Sequence, residues 1–242
     1  MGFGGEHPRW GMPDILLGLL CWLLAQILLT LPVLAVTEDK TVIQIVGLIG
    51  GWIGMAGYVV FIAHRKGLGS VRRDFGWDFK WVDPFIGLGV GIVTIIISAI
   101  VRVIVAQLFS EPPGGNAERI FGSAENNHTA LLVLAVMAGV GAPIVEELFF
   151  RGLTLRAIER RFGAVAGIIG SSLVFALLHW QPGSFGSTVS LVSGILIYGL
   201  MFATVTRYFK RLGPSTFAHM TINTLASAFL LYTVFSGNPI TG

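Results

Sequence analysis

Seven runs of about twenty apolar residues divide this chain, at about 14–36, 42–64, 83–109, 129–152, 163–180, 186–206 and 214–236. A run of that length, rising 1.5 Å per residue as an α-helix, crosses the ~30 Å hydrocarbon core of a bilayer. With no water there to satisfy backbone polar groups, a spanning segment has to be a helix or part of a closed barrel, and unbroken apolar runs select the helix. The sequence therefore predicts an all-α polytopic membrane bundle of about seven helices (seven to eight), forming a single integral membrane domain over 1–242. Only 12% of residues are charged and 54% are hydrophobic, against ~25% charged in a soluble domain. The first run is too long, and too poor in cleavage signals, for a secretory peptide. The start after Gly2 lacks the Ser or Thr of a myristoylation signal.

Basic residues orient the bundle. Arg9, then Arg65, Lys66, Arg72, Arg73 and Lys80, then Arg156, Arg160 and Arg161, then Arg207, Lys210 and Arg211 all fall on one side of the spans. Lys40 and Arg119 are left for the other side, and Arg102 and Arg151 lie within spans. The positive-inside rule puts the N-terminus and the basic loops in the cytoplasm. The expected location is a cell membrane, multi-pass, with the bilayer as partner. The net charge of +3 is spread over loops between apolar runs and indicates no nucleic acid. Cys21 is the only cysteine, which excludes a disulfide framework and a thiolate metal cluster. Small residues at Gly47, Gly50, Gly51 and Gly54, and again at Gly87 and Gly91, mark close helix packing and a possible homodimer face. The loop 65–82, with Trp77 and Trp81 among its charges, reads as an interfacial segment.

Against this apolar background a few polar residues stand out. Glu146 and Glu147 lie inside the fourth run, with Arg151 one turn on. An ionisable group at membrane depth costs about 2.5–3.5 kcal/mol even on lenient scales, so such groups mark function. Adjacent helical residues point about 100° apart, so the two glutamates do different work. Glu147 and Arg151 share a face and suit an ion pair, which leaves Glu146 to face a cavity. Phe175 and His179 share a face of the fifth span, as do His219 and Asn223 on the last. Imidazole and carboxamide both donate hydrogen bonds toward a developing oxyanion. If helix four runs on to about 161 and helix five returns from about 163, Glu146 and His179 come side by side.

The patterns E-E-x-x-x-R, F-x-x-x-H and H-x-x-x-N, in that order on successive apolar helices, resemble the CAAX prenyl endopeptidase and bacteriocin-processing (CPBP, Abi) family. The resemblance covers about 129–236, the expected catalytic core. It implies a glutamic-type intramembrane endopeptidase of a prokaryotic member, with no cofactor. Its implied substrate is a peptide or a prenylated protein C-terminus. Glu146 with His179 would activate a water, a role for which a partly desolvated carboxylate is suited. His219 and Asn223 would stabilise the oxyanion, and Glu147, Arg151 and Phe175 would support the site. Relatives are often drawn with eight spans.

Two alternatives stay open. Glu146, His179 and His219 are donors for a zinc site with an open position, although no H-E-x-x-H pair is present. The chain is otherwise a non-catalytic membrane scaffold or bacteriocin-immunity protein. Asn223 has a plainer reading as interhelical glue worth roughly 1 kcal/mol.

Overall fold

The computed structural model describes residues 8–237. The described residues are helical throughout the apolar runs, and no strand occurs among them. We number the helices α1 (Met12–Leu34), α2 (Lys40–Arg65), α3 (Val71–Phe75), α4 (Asp83–Leu108), α5 (Ala117–Phe121), α6 (His128–Phe162), α7 (Ala164–Leu178), α8 (Phe185–Phe209) and α9 (Gly213–Phe235). Six of them, α1, α2, α4, α6, α8 and α9, are long and apolar enough to cross a membrane. The fifth expected span is shorter than the sequence suggested. Helix α7 has 15 residues, about 22 Å at 1.5 Å per residue, less than the ~30 Å core.

Local chemistry sets the helix starts. Asp39 caps α2 by accepting from the amides of Thr41 and Val42, and Asn127 caps α6 by accepting from Ala130. Pro13, Pro84 and Pro214 occupy the first turns of α1, α4 and α9, where their missing N–H costs nothing. Gly163, at φ +86°, supplies the left-handed step that reverses the chain between α6 and α7. That reversal is where the sequence placed it.

The glycine faces are used inside the chain. A Cβ on Gly50 would lie 2.9 Å from the Ala25 carbonyl, and one on Gly54 would lie 2.2 Å from that of Cys21. These glycines therefore let α2 lie backbone-to-backbone on α1. Gly87 and Gly91 do the same for α4 against Phe217 and Thr221 of α9. Neither face is left open for a second copy.

One end of the bundle is tied together by polar groups. Leu212 N–H donates to the Gly76 carbonyl at 2.9 Å and Gly213 N–H to that of Asp78 at 3.2 Å. Arg211 pairs with the fully buried Asp83 at 2.6 Å. Trp10 packs on Phe75, with ring centroids 4.7 Å apart, and donates from Nε1 to Asp74 at 2.9 Å. The loop 65–82 is thus more than an interfacial segment: Trp81 is exposed as expected, while Phe75 enters the core. At the other end, the Glu111 carboxylate takes hydrogen bonds from Ser184 and from the Ser187 amide, and Arg102 donates to the Gly114 carbonyl. Arg102 pins this strap.

Candidate active site

Helix α6 positions the two glutamates between two π-helical stretches, Met137–Gly141 and Leu148–Thr154. Such wide turns are rare and often occur at functional sites. The first one has a local cause. Ala142 N–H donates back to the Met137 carbonyl. The next donor in that register is residue 143, a proline with no N–H. The Ala138 carbonyl is therefore left over, and Asn223 Nδ2 on α9 donates to it at 2.9 Å. One of the two Asn223 N–H groups is thus held by the helix, which joins the glue reading to the oxyanion reading without removing the second N–H.

The glutamates occupy different environments, as their angular offset required. The Glu147 side chain is fully buried, whereas that of Glu146 is 21% exposed. Arg151 Nη1 lies 2.9 Å from Glu147 Oε1, and both side chains are sealed. The guanidinium is further enclosed by aromatic rings. Its Cζ lies 4.4 Å from the Phe175 centroid, 5.1 Å from that of Phe202 and 5.9 Å from that of Phe150. In a low-dielectric interior, ring faces substitute in part for missing hydrogen-bond acceptors around a cation. Arg151 Nη2 also reaches the Gly199 carbonyl at 3.5 Å.

The two histidines meet at Phe175. Its centroid is 4.6 Å from the His179 ring and 5.8 Å from the His219 ring. His179 follows the last residue of the short α7 and its Nδ1 is bonded to the Phe175 carbonyl at 2.8 Å. His219 stacks on Phe202 at 4.9 Å. Its Nδ1 lies 3.1 Å from Glu147 Oε1, and its Nε2 faces Glu146 Oε2 at 3.8 Å. The shortness of α7 matters here, because a full-length span would carry His179 within the helix rather than at its end.

Two features were not legible in the sequence. Glu147 was expected to pair with Arg151 alone, yet the same oxygen also holds His219. Phe202, which stacks on His219 and covers Arg151, belongs to α8, where no motif marks it. Among the described residues, no three His, Cys, Asp or Glu side chains group as a metal-ligand set. A recess of about 400 Å³ lined by Trp10, Arg73, Asp74, Arg156 and Arg160 lies at the basic end and contains none of these site residues.

Comparison with known proteins bears on this segment. Residues 128–225 match the family model of the type II CAAX prenyl endopeptidase Rce1-like proteins. The match spans α6, α7, α8 and the first half of α9, and so includes every residue from Glu146 to Asn223 discussed above. No curated protein and no solved structure matches the chain. Helices α1 to α4 lie outside the family match and pack around it. The likeness to the type II CAAX prenyl endopeptidases thus rests on residues 128–225, under half of the chain.

Proposed function

We propose that this protein is a glutamic-type endopeptidase that hydrolyses a peptide bond near the C-terminus of a membrane-associated, prenylated substrate. In this reading Glu146, with His179, removes a proton from the attacking water. His219 and the second N–H of Asn223 face the carbonyl oxygen as it becomes negative. Glu147, Arg151 and Phe175 hold the set in place. The observation that carries the reading is the division between the two glutamates. One is sealed in an ion pair, and the other is partly exposed, with Nε2 of His219 3.8 Å away. A general base has to be open to its water, and of the two glutamates only Glu146 is exposed.

The fold supports such chemistry at membrane depth. Glu146 lies near the middle of the 35-residue α6, and α7 ends at His179 rather than crossing fully. Irregular backbone at that depth is tolerated where it lines a protein-walled or water-filled cavity, so the loop after His179 is the natural path for water. The basic loops support a cytoplasmic N-terminus in this reading, by the positive-inside rule.

The test is cleavage of a fluorogenic prenylated CAAX peptide by purified wild type and Glu146→Ala in detergent or nanodiscs. Wild type should release the C-terminal fragment. The variant should be folded, with activity lower by roughly 10³-fold. Treatment with a chelator should leave the wild-type rate unchanged, and zinc-reversible inhibition would replace the general-base role with a metal site. Equal cleavage by the two proteins would remove Glu146 from the mechanism.

A further inference from the structure

The contact between Glu147 and His219 assigns more to the buried glutamate than bracing. Glu147 Oε1 lies 2.9 Å from Arg151 Nη1 and 3.1 Å from His219 Nδ1. A carboxylate paired with a guanidinium is ionised and only accepts hydrogen bonds. His219 therefore carries its proton on Nδ1, and a neutral ring presents a lone pair at Nε2. The ring also packs against Phe175 and Phe202, neither of which can bond a ring nitrogen. Nε2 is left facing Glu146 Oε2 at 3.8 Å.

That tautomer has a consequence for the reaction. A lone pair at Nε2 donates nothing to an oxyanion; donation requires a second ring proton. We infer that Glu147 is a positioning residue that locks His219 with Nε2 toward the reacting atoms, and that His219 acts there as the imidazolium, relaying a proton to the leaving nitrogen. The inference rests on the reading of Glu146, His179, His219 and Asn223 as the reacting set. The water oxygen bonds to the carbonyl carbon, and one water proton passes to Glu146 and from there to His219 Nε2. The imidazolium then donates toward the oxyanion. As the C–N bond breaks and the carbonyl re-forms, the same proton goes to the departing amine. Glu147 stabilises the transient charge on the ring, the part a buried carboxylate plays in a Ser-His-Asp triad.

The leaving group provides the discriminating experiment. Two CAAX peptides are compared, one with the scissile amide and one with a thioester at the same bond. A thiolate leaves without a proton, whereas an amine does not. Glu147→Gln should lower kcat on the amide by roughly 10²-fold, with KM within about two-fold, but on the thioester by less than roughly ten-fold. Because Glu147→Gln leaves Arg151 without its counter-charge, the charge-balanced Glu147→Gln/Arg151→Gln variant is measured in parallel and should show the same amide-selective loss. An equal loss on both substrates would make Glu147 merely structural and overturn the relay. The lock itself is read without turnover, from the ¹⁵N spectrum of histidine-labelled protein assigned with His219→Gln. A protonated Nδ1 with a bare Nε2 supports it, and a protonated Nε2 with a bare Nδ1 overturns it. If wild type cleaves neither peptide, the proposed function fails, and the spectrum still decides the lock.

Discussion

His179 and His219 share one phenylalanine, Phe175, yet their Nδ1 atoms are held by different groups. His179 is clamped by a neutral backbone carbonyl one turn back on its own helix. His219 is clamped by an ionised carboxylate from another helix, itself tied to Arg151. Both clamps hold Nδ1, but they favour different charge states. A carbonyl suits a neutral imidazole whose lone pair helps a base, whereas a carboxylate suits a ring that gains charge during the reaction. In the mechanism proposed above, two residues of one type would thereby take opposite sides of a hydrolysis because of what stands behind them.

The largest expected break in this comparison is removal of the rings. His219→Ala should lower kcat by roughly 10³-fold, as for loss of an oxyanion donor, and His179→Ala by roughly 10²-fold, as for loss of a base partner. Single-turnover rates on the prenylated peptide read both; equal losses would erase the distinction. Next comes the clamp behind His219. Arg151→Ala leaves Glu147 charged and sealed, so thermal or denaturant unfolding in detergent should show about 3 kcal/mol of lost stability. Arg207→Ala, which breaks a partly exposed pair with Glu159, should cost under about 1 kcal/mol. Comparable costs for the two would show that Arg151 is not held by its aromatic enclosure and its carboxylate.

The smallest effect sharpens the comparison at Asn223. Asn223→Ala orphans the Ala138 carbonyl and should cost about 1 kcal/mol. Pro143→Ala, by supplying the missing N–H to that carbonyl, should recover part of the loss in the double variant. A double variant no more stable than Asn223→Ala would show that the proline does not cause the vacancy Asn223 fills. The same pair of variants separates glue from chemistry, since a stability rescue without recovery of kcat leaves the second Asn223 N–H at work in the site.

Much of this site was legible because it is local. Glu147 and Arg151 are four apart on one helix and meet as that spacing requires. Phe175 and His179, also four apart, do the same. The turn at Gly163 was visible as a break between two apolar runs, and it is what lets α6 and α7 run side by side. The polar residues stood out because the bilayer makes every buried charge conspicuous. The glycine spacing told that helices approach closely but not which helix each face meets. That choice depends on how each helix is rotated about its axis, a property no single run contains.

By itself, then, the sequence determined the helical membrane class, the segment that resembles the CAAX prenyl endopeptidases and the residue types concentrated in it. Length, hydropathy and the cost of charge in hydrocarbon are enough for that, since each acts within one helix. Only the tertiary structure decided that Glu147 serves His219 as well as Arg151, that Phe202 covers both, and that Asn223 completes a helix broken by a proline. These are contacts between helices far apart in the chain. They are set by relative depth and rotation, which packing of the whole bundle resolves and a linear pattern does not.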